Sequence, residues 1–215
     1  MIRSVHPPPD VRLIVIADPD VLGARDLLAA ARDAVLGGAT AVQLRMKRAP
    51  AAEMCRVARE LVRVVGVPVY VNDRADVAWA AGAHGVHVGA DDLPPRELRA
   101  VAPRPFLIGV SVGTEHEAAA VRGAAVDYWS IGSVFRTATK PDAGEPIGLG
   151  GLRSLASLAP PGMPIVGIGG IDASNAGAVI SAGAHGVAVI SAVFGAADVR
   201  RAARELREAV DAARH

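Results

Sequence analysis

Lysine is almost missing from this chain: of 23 basic residues only Lys47 and Lys140 are lysines, and every other one is arginine. A lysine kept against that background suggests a task that a planar guanidinium cannot do, such as acting as a compact point charge against phosphate, with chance retention as the alternative. Cysteine is scarcer still. The single Cys55 excludes an internal disulfide, and its place in the apolar-periodic stretch 51–65 reads as a packed helix residue rather than a nucleophile. Aromatic residues make up 3% of a chain that is 51% hydrophobic, so the core is aliphatic, as where helices pack on parallel strands, and not that of a β-sandwich. No run of 18 apolar residues occurs, and residues 1–10, with Pro7-Pro8-Pro9, lack the apolar centre of a signal peptide. A soluble cytoplasmic protein with no membrane partner is expected. The net charge is +1 and the arginines are scattered, which argues against a nucleic-acid surface and leaves small molecules as the default ligands.

What is present is a strict alternation. Short β-branched runs at 12–17, 41–44, 67–71, 85–88, 106–110, 126–131, 164–168 and 186–190 read as strands. Between and after them, 24–36, 51–65, 75–81, 94–101, 115–123, 151–158, 174–182 and 197–213 read as helices. Parallel neighbours need such crossovers, and eight units in 215 residues predict an α/β fold of the (β/α)8 barrel type, a single domain over 11–215 after an N-terminal extension 1–10. A doubly wound open sheet is the alternative. The joint Ala81-Gly82-Ala83-His84-Gly85-Val86 recurs word for word as Ala182-Gly183-Ala184-His185-Gly186-Val187. Glycine there ends a helix in the left-handed conformation, so this repeat, with His84 and His185, is read as architecture.

In a parallel barrel, active sites gather at the C-terminal strand ends. The residues there are Arg45 and Lys47, Asn72 and Asp73, Asp91 and Asp92, Ser111, Thr137 with Thr139 and Lys140, Gly169 and Gly170, and Ser191. Asp73 and Asp92 end adjacent strands, and two hard oxygen ligands at that spacing suit a Mg2+ ion that keeps waters and takes its remaining ligands from phosphates. Either aspartate alone also reads as a helix N-cap. Ile168-Gly169-Gly170-Ile171 with Val189-Ile190-Ser191 has the form of a barrel phosphate cradle, in which glycines let backbone N–H groups approach the ligand. His87, inside the fourth strand, reads as a core histidine, and Gly144-Glu145-Pro146-Ile147-Gly148 extends a polar loop of the length of a functional lid.

These motifs together resemble the thiamine phosphate synthase and thiazole tautomerase family. Gln43-Leu44-Arg45-Met46-Lys47 is similar to that family's Gln-Phe/Leu-Arg-x-Lys, Val71-Asn72-Asp73 to its Val-Asn-Asp, and Gly89-Ala90-Asp91-Asp92-Leu93 to its Gly-Gln-Glu/Asp-Asp-Leu. Gly109-Val110-Ser111 resembles its Gly-x-Ser and Thr137-Ala138-Thr139-Lys140 its Thr-x-Thr-Lys. The resemblance runs from the first strand through Phe194. It implies condensation of 4-amino-2-methyl-5-hydroxymethylpyrimidine diphosphate with a thiazole phosphate, by way of a pyrimidine carbocation, to thiamine phosphate and diphosphate. It further implies Mg2+ on Asp73 and Asp92, and Arg45, Lys47 and Lys140 on the diphosphate. Gln43, Asn72 and Ser111 fall to the pyrimidine, while Thr137, Thr139, Gly169 or Gly170, Ile190 and Ser191 fall to the thiazole phosphate. Ser111, Arg45, Lys47 and Lys140 are the residues that the reaction itself would use.

Three positions depart from the family pattern: Ile14 replaces its Tyr, Ala90 its Gln, and Gly132-Ser133 its Gly-Pro. They line or brace the pocket without carrying charge, so they bear on substrate fit and rate. Tautomerases of the same family place a histidine two residues after the Ser of the fifth strand, where Gly113 stands here, and their aspartate pair is typically incomplete. The synthase is therefore expected, with a tautomerase or a barrel that only binds thiamine phosphates as alternatives. A homo-oligomer stays open.

Overall fold

The computed structural model describes residues 8–102, 104–137, 139 and 144–214. Eight strands, β1 (Leu13–Ala17), β2 (Ala41–Leu44), β3 (Val69–Asn72), β4 (Gly85–Val88), β5 (Leu107–Val112), β6 (Tyr128–Ile131), β7 (Ile165–Ile168) and β8 (Gly186–Val189), close into a parallel barrel in sequence order. The helices around it are α1 (Pro19–Leu22), α2 (Leu27–Leu36), α3 (Ala51–Val64), α4 (Ala75–Ala81), α5 (Pro95–Val101), α6 (Glu115–Val121), α7 (Gly148–Ser157), α8 (Ala176–Ser181), α9 (Ser191–Phe194) and α10 (Val199–Ala212). The expected single-domain (β/α)8 barrel is therefore present, and pairing of β8 with β1 rules out the open sheet. Two one-turn helices, α1 and α9, were not expected, because four residues are too few to show a 3.6-residue period. No helix among the described residues is long and apolar enough to cross a membrane.

The strands bury both faces, which is why they read as continuous apolar runs. Outward residues such as Val15, Val42, Val71, Val86 and Trp129 join the helices in a large aliphatic layer, and Cys55 of α3 packs against its edge as a partly buried residue. Inward residues form a second, smaller core of Val11, Ile14, Ile16, Ala41, Tyr70, Tyr128, Val166 and Ala188. Continued upward, the same inward alternation delivers Gln43 after Ala41 and Asn72 after Tyr70. A polar mouth thus sits directly on an apolar plug.

The repeated joint is architectural, as expected. Gly82 caps α4 at φ 69° and Gly183 follows α8 at φ 110°, both left-handed. His84 Nδ1 accepts the N–H of Val69 at 3.1 Å, and His185 Nδ1 accepts that of Ile165 at 3.0 Å, so each histidine satisfies the first donor of the preceding strand. Burial lowers the pKa of both rings below the ordinary 6.5. Both must be neutral at Nδ1 to accept, and the unfolded chain takes up protons first as pH falls, so their contribution is present above pH 6.5 and is lost below it. Melting temperature is accordingly expected to be flat near pH 7.5 and to fall below pH 6.5. In a His84→Asn, His185→Asn double variant, whose carboxamide oxygens accept the same N–H groups at any pH, that acid slope should be shallower. Thermal melts across the pH range check this.

Candidate active site

A cavity of about 850 Å³ opens at the C-terminal mouth of the barrel. Its wall carries Gln43, Arg45 and Lys47 from β2 and its exit, Asn72 and Asp73 from β3, and Asp92 beyond β4. Ser111 of β5, Thr137 and Thr139 beyond β6, Gly169 and Gly170 beyond β7, and Ile190 and Ser191 beyond β8 complete it. All the residues anticipated for substrate, phosphate and metal thus meet on one cavity, except Lys140, which lies outside the described residues together with 141–143 of the loop beyond β6. Two placements differ from expectation. Asn72 is the last residue of β3 and Ser111 lies inside β5, because both strands run further than their β-branched stretches indicate. Both are inward-facing strand residues, held more rigidly than a loop would hold them.

The exits of β2, β3 and β4 form the charged side. Asp73 has a left-handed backbone, φ 63°, and its N–H extends the β3–β4 ladder by donating to the His87 carbonyl at 2.8 Å. Lys47 Nζ donates to Asp73 Oδ2 at 2.6 Å. Asp92 Oδ2 accepts the Gly89 N–H at 2.7 Å, and its carboxyl meets that of Asp73. Burial pushes the Asp92 carboxyl up; the Gly89 N–H opposes the rise, the adjoining Asp73 carboxylate adds to it, and Lys47 counters. Neither aspartate is a helix cap. The N-cap positions of α4 and α5 are Arg74 and Pro94, without a side-chain cap at either.

Arg45 is held from behind. Its guanidinium pairs with Asp18, which is 2% exposed, while Asp18 Oδ1 accepts the Asp20 N–H at 2.9 Å and caps α1. Asp18 follows β1 as directly as Arg45 follows β2, and that position in the chain is the signal for it. The floor is polar at a few points only: His87 Nε2 lies 3.0 Å from Ser111 Oγ and its Nδ1 lies 2.9 Å from the Tyr128 hydroxyl. The core reading of His87 is right as to burial but incomplete, since its ring lines the cavity.

Across the mouth, the segment after β6 is stitched to the exit of β7 by Val134 N–H to the Ile168 carbonyl at 2.8 Å and Phe135 N–H to the Gly169 carbonyl at 3.0 Å. Ile147 and Gly148 return to the Ser133 and Val134 carbonyls at 2.9 and 3.0 Å, and Thr139 Oγ1 reaches Ser191 Oγ at 3.5 Å. Gly169 is required by this packing as well as by any ligand: it has φ 98°, and a Cβ there would stand 1.9 Å from Ser133 Oγ. A side chain at Gly169 would therefore disturb the loop before it touched a phosphate.

Residues 13–193 match the family model described as thiamine monophosphate synthase. The chain belongs to that family. It is 48% identical over 209 residues to the thiamine-phosphate synthase of Moorella thermoacetica, covering 96% of this chain and 99% of that one. It is 45% identical over 205 residues to that of Methanoregula boonei, covering 94% of each. Among solved structures, the thiamine phosphate pyrophosphorylase from Pyrococcus furiosus superposes with a TM-score of 0.85 at 40% identity, over 95% of this chain and 98% of that one. The thiamine-phosphate synthases among its relatives are transferases of thiamine biosynthesis, and the barrel described above is the fold they share with this chain.

Asp18→Asn keeps an oxygen to cap α1 but removes the charge that orients Arg45, so with Arg45 in the diphosphate role that the family resemblance implies, the KM for the diphosphate substrate should rise about tenfold, the value of one charge-assisted hydrogen bond, with that of the phosphate co-substrate unchanged. Steady-state kinetics with each substrate varied in turn checks it.

Proposed function

We propose that this barrel joins 4-amino-2-methyl-5-hydroxymethylpyrimidine diphosphate to a thiazole phosphate, forming thiamine phosphate and diphosphate. The observation that carries this reading is the pair of adjoining carboxylates, Asp73 and Asp92, with Lys47 and Arg45 on one wall of the cavity. Two like charges side by side are costly alone and suit a shared cation. Among the described residues no group of three or more His, Cys, Asp or Glu side chains is arranged for a metal, so a cation here would rely on water and substrate oxygens, as Mg2+ does. Asp73 and Asp92 would hold it, and when bound it would supply positive charge to the leaving diphosphate.

The chain's own groups do the rest. Arg45 and Lys47, and Lys140 from the loop beyond β6, bind the diphosphate as it takes the electron pair of the breaking carbon–oxygen bond. Gln43, Asn72 and Ser111 orient the pyrimidine, whose ring delocalises the cation left on its methylene carbon. Thr137, Thr139, Gly169, Gly170, Ile190 and Ser191 hold the thiazole phosphate so that its ring nitrogen donates an electron pair to that carbon. No proton is transferred, so no general base is needed, and the catalytic contribution is fixed charge where negative charge develops. Ile14 and Ile16 present an apolar wall on the β1 side, which keeps water from competing for the cation. The tautomerase alternative needs a proton carrier two residues beyond Ser111, and Gly113 has none.

Two outcomes test the reading. Product formation should require magnesium and stop in excess chelator, and Asp92→Ala should lower kcat by about 10²-fold or more while melting temperature holds, since Asp92 lies on a rim loop. Undiminished turnover under chelation would remove the metal assignment. Lys47→Arg should also lose kcat despite conserving charge, because a wide planar fork replaces a compact ammonium beside Asp73. Rates near wild type for that variant would mean that charge alone suffices.

A further inference from the structure

Ile190 and Ser191, assigned above to the thiazole phosphate, open onto the one-turn helix α9, which has no side-chain cap at its start. So short a helix does not hold itself in place, because nucleation is unfavourable and its end groups lack partners within the turn. Its own bonds include Phe194 N–H to the Ile190 carbonyl and Gly195 N–H to that of Ser191, both at 2.9 Å. Val193 and Phe194 are fully buried in the aliphatic layer, and the helix packs on β1, α1 and α10. Those contacts set its depth. Apolar contact is non-directional, so it does not by itself fix how the turn is rotated or where Ser191 Oγ points.

The direction comes from the far end of the turn. Arg25, in the link between α1 and α2, donates from Nη1 to the Ala196 carbonyl at 2.5 Å and from Nη2 to the Phe194 carbonyl, 171 and 169 positions away in the chain. Its Nε donates to the Leu22 carbonyl at 3.1 Å. Leu22 and Phe194 are the last residues of α1 and α9, so one planar fork gathers C-terminal carbonyls from both one-turn helices. α1 also has a side-chain cap, Asp18, where α9 has none. A rigid fork fixes an orientation in a way that a compact ammonium on a flexible stem does not. Arg25 is exposed and does not line the cavity, so its contribution is these bonds and not the filling of core space. At the other end of the same turn, Ile190 and Ser191 do line the cavity, with Ser191 Oγ 3.5 Å from Thr139 Oγ1. One turn of α-helix rises only about 5.4 Å, so a tilt at Phe194 reaches Ser191 almost undiminished.

We infer that Arg25 is a positioning residue for the thiazole phosphate: by clamping the C-terminal carbonyls of α9 from outside the cavity, it holds Ile190 and Ser191 where they meet that phosphate. This rests on the phosphate assignment made above. The experiment is steady-state kinetics on wild type, Arg25→Ala and Arg25→Lys, with each substrate varied in turn and melting temperatures beside them. In Arg25→Ala the KM for the thiazole phosphate should rise about tenfold, the value of one hydrogen bond to a charged group, while that for the pyrimidine diphosphate stays unchanged. Arg25→Lys keeps the charge without the fork and should show most of the same rise; it is also the variant to read should Arg25→Ala fold poorly. A role in stability alone would lower the melting temperature and leave both KM values as they were, and a general loosening of the barrel mouth would raise both equally. Either result overturns the inference, as does full recovery in Arg25→Lys, which would mean that long-range charge and not the fork is at work. Absence of condensation by wild type would overturn the functional reading, and the inference with it.

Discussion

Two adjoining carboxylates at the exits of adjacent strands are the constraint around which this site is organised. The backbone of Asp73 is set in the left-handed region and continues the β3–β4 ladder, and Asp92 is tied through Oδ2 to the Gly89 amide. The repulsion is offset by Lys47, whose ammonium lies on Asp73. The proposed cation would offset the negative charge that Lys47 leaves unbalanced. The arrangement also keeps Lys47 within reach of whatever the cation would bind.

The rest of the molecule serves that rim. The aliphatic layer between helices and sheet holds the strands in register, so that Asn72 pairs with His87 and the exits of β3 and β4 coincide. The small inward core of Ile14, Tyr70, Tyr128 and Val166 plugs the barrel beneath the cavity and confines polar groups to the mouth. Behind Arg45, Asp18 both caps α1 and steadies the guanidinium, so a one-turn helix at the edge of the barrel is coupled to the charge that would meet the diphosphate. Charge is fixed before a ligand arrives, which is the condition for electrostatic catalysis to work without reorganisation.

Much of this was legible in the chain. Eight strands could be read because a parallel sheet buried on both faces writes each strand as a continuous β-branched run, and the rim could be read because polar residues follow those runs at once. What escaped has physical causes. The helices α1 and α9 are too short to carry a period. The chain from Tyr128 through His87 to Ser111 joins residues on three different strands, 41 and 24 positions apart, and no local pattern marks such contacts. The cap reading of Asp73 and Asp92 could not be dismissed from spacing, since it turns on which residue starts each helix, and boundaries within two residues are a matter of cap geometry.

The proposed role of this rim is decided by where Lys47 and the two aspartates go when the site is filled. A crystal structure with Mg2+ and an unreactive analogue of the pyrimidine diphosphate measures this directly. One metal ion touching both Asp73 and Asp92 is expected, with Lys47 moved from Asp73 onto a diphosphate oxygen and Arg45 still held by Asp18. A metal bound elsewhere, with Lys47 remaining on Asp73, would contradict it.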